Sequence, residues 1–208
     1  LYDEAGKAID MSNLTLSEKA VKVTVPISKS VTVPVVADFT NLPDGFNKKS
    51  LAYTIDHKTV TVIGTPEAID KIKQVTLSPI DITMVTVSSN KFVVSPKLPD
   101  AVRLLDTIED FNVTVDTSNY TEKTFNISAV RFNSLSAGLN ATSETVIRNV
   151  KICGPKDVIA KLKDNMLYAV VNLSEKAAGE HTVPVSVKSD SYNNIWQVGS
   201  YSTTVKIR

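Results

Sequence analysis

The stretch TVTVIGTPEAIDKIK, Thr59–Lys73, decides how the chain is built. Val60 and Val62 alternate with Thr59 and Thr61, the two-residue period of a strand made from β-branched residues. Gly64 breaks that strand. Thr65 suits a helix N-cap, Pro66 the first helical position, and Glu67 the positive end of the helix dipole. Ile69, Ile72 and Val75 follow at helical spacing, so a short amphipathic helix of about two turns is expected. Further on, the chain repeats the pattern as NVKICGPKDVIAKLK, Asn149–Lys163. Val150 and Ile152 align with Val60 and Val62, Gly154 with Gly64, Ile159 with Ile69, and Leu162 with Ile72.

The registration extends both ways. Upstream, FTNLPDGFN (Phe39–Asn47) aligns with FNSLSAGLN (Phe132–Asn140). Downstream, PIDIT (Pro79–Thr83) aligns with VVNLS (Val170–Ser174). A third echo, AIDMS (Ala8–Ser12), precedes the strand-like VKVTVP. One stretch falls out of step, since the alternation of Val31–Val36 does not match Phe125–Val130; a β-bulge would account for it. The expected division is therefore residues 1–27 as the tail of an upstream repeat, 28–118 as one repeat and 119–208 as a second.

Other segments are short, alternating and β-branched: SVTVPVV, KFVVSP, FNVTVD, HTVPVSV and YSTTVKIR. Pro26, Pro34, Pro96 and Pro184 lie in or beside such runs and point to edge strands or strand ends, because proline cannot donate to a ladder. Leu98–Asp110 fits a strand with a bend better than a helix. The fold class is mainly β with one short helix per repeat (α+β), in tandem, elongated repeats.

The composition narrows the function classes. The 208 residues suffice for two small domains. Hydrophobic content of 42% and charged content of 22% are those of a folded globular chain. A formal net charge of +1, with no run of Lys or Arg, argues against nucleic acid as a partner. The single cysteine, Cys153, rules out an intrachain disulfide framework and a cysteine-based zinc site. No stretch reaches the roughly 20 apolar residues of a membrane-spanning helix. A chain starting at Leu1 reads as a piece of something longer, with targeting segments outside it.

The ordered set of strand, glycine and helix, then "PIDIT" or "VVNLS", with "PDGF" or "SAGL" upstream, resembles the YbbR domain. The resemblance covers both repeats and the fragment before them. It implies tandem domains following an N-terminal membrane helix, absent here, that project to the outer side of a bacterial membrane. It also implies a partner, a membrane-bound diadenylate cyclase whose cyclic-di-AMP output the domains regulate, with cell-envelope components as further candidates. No cofactor is implied.

No catalytic constellation emerges from the residues themselves. His57 and His181 occupy unrelated places in the two repeats, with no nucleophile–base–orienter set around either. Cys153 aligns with Ile63 and reads as a small buried hydrophobe. Gly64 and Gly154 lack the further glycines and the GK[ST] of a phosphate loop. Asp100, Asp106, Glu109, Asp110 and Asp116 lack the interleaving and turn glycine of a calcium loop and read as a solvated face. Tyr192, Trp196 and Tyr201 are the candidate interaction surface, although a lone tryptophan near a strand is more often part of the core or the inter-domain seam. N-x-S/T sequons begin at Asn13, Asn112, Asn119, Asn126, Asn140 and Asn172.

Two functions follow. One is a non-catalytic regulatory module. The other is a cell-surface adhesion or carbohydrate-binding β-array, which the sequons favour and the twice-present helix disfavours. The linker near Thr117–Thr121 is short and polar, so limited freedom between repeats is expected.

Overall fold

The computed structural model describes residues 2–10, 12, 23, 27–143 and 146–208. Most of VKVTVP, with Pro26, and the Asn13 sequon lie outside the described residues. The rest is mainly β.

The first half holds β1 (Lys29–Val36), β2 (Phe39–Thr40), β3 (Tyr53–Ile55), β4 (Thr59–Gly64), β5 (Val75–Leu77) and β6 (Ile80–Asp81). It continues with β7 (Lys91–Val94), β8 (Pro96–Lys97), β9 (Val102–Leu104) and β10 (Phe111–Val115), and α1 (Pro66–Ile69) follows β4. The second half holds β11 (Tyr120–Ile127), β12 (Val130–Asn133), β13 (Ala141–Thr142) and β14 (Ile147–Pro155). After α2 (Lys156–Lys161) come β15 (Tyr168–Asn172), β16 (Gly179–Lys188), β17 (Trp196–Gln197) and β18 (Tyr201–Ile207).

The two halves pair their strands in the same order. β11–β14–β17 in the second half corresponds to β1–β4–β9 in the first. The second-half sheet β12–β15–β16–β18–β13 corresponds to β1–β5–β8 continued by β7–β10–β3, with β16 unbroken where β7 and β8 are interrupted at Ser95. Pairing partners agree residue by residue: Phe39 lies against Ile80 in parallel pairing, and Phe132 lies against Val171 in the same way.

Local conformations agree as well. Asn41 (φ 56°) and Ser134 (φ 59°) are both left-handed, as are Gly45 (φ 72°) and Gly138 (φ 84°). Asp81 accepts from the backbone N–H and hydroxyl of Thr83, and Asn172 does the same for Ser174. Asp10 makes this identical turn with Ser12.

The out-of-step stretch owes its lost step to one extra residue between Ile127 and Phe132 relative to Val35 and Phe39. Pairing sets Val33 against Val60 and Phe125 against Val150, so Val33 matches Phe125 and Val35 matches Ile127. Separately, the register shifts between Phe125 and Ile127, and a bulge residue sits on β14, where Asn149 takes φ 56° and its N–H donates to Asn126 Oδ1 at 3.2 Å.

The helices are shorter than the spacing of apolar residues implies. α1 is one turn, capped by Thr65 Oγ1 accepting from Ala68 N–H. Val75 is not helical; it opens β5, because the sheet edge of β1 at Val35 captures it in parallel pairing. α2 has Pro155 before it and no side-chain cap. Its Lys156 N–H donates instead to Asn119 O at 3.0 Å, tying the helix start to the linker.

The prolines follow their pairing chemistry. Pro96 is on the edge strand β8. β1 and β16 are interior strands, yet β5 pairs only Val35 and Val36, and β15 reaches only Ser186–Lys188, so Pro34 and Pro184 each pair on one side.

Each half encloses a hydrophobic cluster. The first centres on Phe111, Val113, Leu77, Ile82 and Val62, the second on Ile127, Ile152, Leu162, Val171 and Ile207. Two second-half residues, Cys153 and Trp196, belong to the first cluster.

Candidate interaction surface

That exchange of residues arises from the strand pleat. Along β14, Ile152 faces the second cluster and Cys153, its neighbour on the opposite face, points at the first half. Cys153 pairs with Trp196 on β17 and with Glu122 on β11, so this face of the three-stranded sheet is the seam.

Trp196 fills it. Only 2% of its surface is exposed, Tyr120 lies 5.4 Å away centroid to centroid, and Phe46 meets it edge-on at 6.3 Å. Its indole Nε1–H donates to Val85 O at 3.0 Å, so the buried polar end is satisfied. Around it, Gly199 N–H donates to Thr83 O at 2.9 Å and Asn193 Nδ2 to Gly45 O at 2.8 Å. Val87 N–H donates to Glu122 Oε1 at 2.8 Å, and Lys188 pairs with Asp44 at the rim. The linker is tied down too, since Lys156 Nζ donates to Ser118 O at 2.8 Å and Thr117 is buried.

The three aromatic candidates therefore do not form one exposed platform. Trp196 is taken up by the first half. Tyr201 packs on the second cluster and its hydroxyl accepts from Lys151 N–H at 2.8 Å. Tyr192 is half-buried against the same cluster. Sequence spacing places Trp196 near a strand but is silent on which sheet face it takes; the pairing of β17 onto β14 settles that.

The thiol of Cys153 is pushed up to about 12, first by burial and then by the Glu122 carboxylate. It is expected to resist a thiol reagent such as dithionitrobenzoate at pH 8 in the folded protein and to react in full once denatured. Stoichiometric reaction without denaturant would contradict the burial.

The remaining candidates have ordinary structural roles. His57 contacts Asp56 and stands edge-on to Phe111, while His181 Nε2 meets Ala177 O at 2.9 Å. Gly64 is required by close approach, because a Cβ there would lie 2.4 Å from Ala101 O. A Cβ at Gly154 would lie 2.7 Å from Ile195 Cγ2. The acids are engaged separately: Asp106 accepts from Thr61 N–H, Asp110 from Ser95, Asp116 from Ser118 N–H. Among the sequons, Asn112 donates to Asp56 and Asn172 accepts from Ser174.

A cleft of about 330 Å³ opens beside the seam, with Asn41, Asp81, Thr83, Lys188 and Gln197 among its walls. The Asp81 carboxylate in its wall accepts from Thr83 and Asn41. What the arrangement offers is a surface that spans both halves. Among the described residues, no helix is long and apolar enough to cross a membrane.

No protein-family model matches the chain. It is 24% identical over 212 aligned positions to the CdaA regulatory protein CdaR of Bacillus subtilis. That alignment takes in the whole chain and with it both occurrences of the strand–glycine–helix motif. This similarity supports the resemblance to the YbbR domain. The chain spans 42% of the length of that regulator. Two solved structures were also compared. The solution structure of SuR18C from Streptococcus thermophilus is 29% identical, covering 45% of this chain and 89% of its own, with a TM-score of 0.31. The crystal structure of a YbbR-like protein from Streptococcus pneumoniae is 15% identical, covering 90% of this chain and 98% of its own, with a TM-score of 0.32. Neither superposes closely enough to bear on the fold of this chain.

Proposed function

We propose that residues 28–118 and 119–208 are two copies of one YbbR module, and that together they form a non-catalytic regulatory surface for a membrane-bound diadenylate cyclase. The module works on the outer side of a bacterial membrane, held there by a helix elsewhere in the polypeptide. The similarity of the whole chain to part of a CdaA regulatory protein carries this reading. Matching strand order, matching left-handed positions and matching Asx turns support the two-copy part.

Regulation of this kind asks for no bond-making groups. It asks for a stiff body that bears on its partner, and a seam with a buried tryptophan and several backbone hydrogen bonds supplies stiffness. The test is cellular. Cyclic-di-AMP is measured in cells carrying the cyclase and the full-length regulator, with and without residues 28–208. A nucleotide level that changes on deletion is expected. An unchanged level, at equal expression, overturns the proposal.

A further inference from the structure

Among the described residues, the seam between the halves has a counterpart that is left uncovered. β17 meets β14 with Trp196 against Cys153, and β9 meets β4 with Arg103 against Ile63. The next residue outward confirms the match: Val198 N–H donates to Lys151 O at 2.8 Å, and Leu105 N–H donates to Thr61 O at 2.8 Å. In the second half these positions are buried or half-buried on the neighbouring module. In the first half Leu105 is 56% exposed, Arg103 is exposed, and nearby Ile27 is 77% exposed. An open hollow of about 310 Å³ lies between Ser28, Ile63, Gly64 and Arg103, on the face where its counterpart carries Trp196.

We propose that this face, made by Ile63, Arg103 and Leu105, is the docking surface for another module of the same fold, placed before β1 in the same polypeptide and seated as the first half is seated on Trp196. The inference rests on the two halves being copies of one module; it does not depend on the cyclase. The occupant's signature is already in the chain. At the observed seam, the turn made by Asp81 and Thr83 delivers Thr83 O to Gly199 N–H. Asp10 and Ser12 make the same turn ahead of β1. The match sets Ser12 opposite Asp106 and Thr107 as Thr83 stands opposite Gly199 and Ser200.

The other end of the molecule is not equipped in this way. Val85, fully buried under Trp196, corresponds to Lys176: Val85 N–H donates to Ile82 O, and Lys176 N–H to Leu173 O. Lys176 is exposed, and Gly138 has no atom near its Cβ position where Gly45 faces Asn193. One face invites a neighbour and the other does not.

The test uses the full-length protein and a short bismaleimide that bridges two thiols. The variant Ser12→Cys/Thr107→Cys is compared with the control Thr83→Cys/Ser200→Cys, whose two residues face the same cleft at the observed seam. Cys153 is buried and does not compete. Both variants are expected to give an intrachain crosslink to a similar extent, identified by mass spectrometry of the linked peptides. A control that links while Ser12→Cys/Thr107→Cys gives none, or only chain-to-chain dimers, overturns the docking surface. A control that fails to link overturns the seam and, with it, the transfer of its geometry to the first module.

Discussion

Trp196→Ala is expected to cost about 3–5 kcal/mol of stability, the range for deleting a large buried aromatic. The indole is nearly fully buried, is stacked near Tyr120 and Phe46, and satisfies Val85 O. Its removal leaves a cavity between the halves and an acceptor with no donor, and both penalties fall on the seam. The effect should therefore show as uncoupling as well as weakening. Urea unfolding followed by circular dichroism should separate into two transitions, and small-angle scattering should show a broadened distribution of distances between halves. A single transition displaced by less than about 1 kcal/mol would mean that the seam contributes little.

Phe111→Ala comes second, again with an expected loss of about 3–5 kcal/mol. Phe111 starts β10, the middle strand between β3 and β7, and is fully buried in the first cluster. Its position allows a sharper reading than stability alone. Trp196 is the only tryptophan of the chain and is built into the same cluster from the second half. Tryptophan fluorescence therefore reports on a core to which its own half contributes little. The midpoint by fluorescence should fall with the loss of Phe111, even though the mutated residue belongs to the other half. A fluorescence midpoint unmoved by Phe111→Ala would show that Trp196 is energetically independent of that core.

These two residues also mark the boundary of what the sequence discloses. Strand, glycine and helix at Thr59–Ile69 follow from local chemistry, because β-branched alternation, an N-cap threonine and Pro66 act within a few residues of one another. The repeated turns at Asp81 and Asn172 are legible for the same reason. Val75 is misassigned by spacing alone, since its fate depends on the open edge of β1 some forty residues earlier in the chain. The seam is least legible of all. Trp196 and Cys153 turn away from their own core because β17 pairs with β14, and no local pattern encodes which of two sheet faces a two-residue strand presents. Comparing the halves position by position recovers it, for Cys153 replaces Ile63 and Trp196 replaces Arg103 across matching pairs.

The central claim is that this surface engages a diadenylate cyclase, and the direct measurement is association. The full-length protein is affinity-purified from membranes that contain the cyclase, beside a version lacking residues 28–208 and the Trp196→Ala variant. The account predicts that the cyclase co-purifies with the intact protein and is lost on deletion, and that Trp196→Ala weakens capture by loosening the body that bears on it. Equal capture by all three would place the contact elsewhere in the polypeptide and contradict the account.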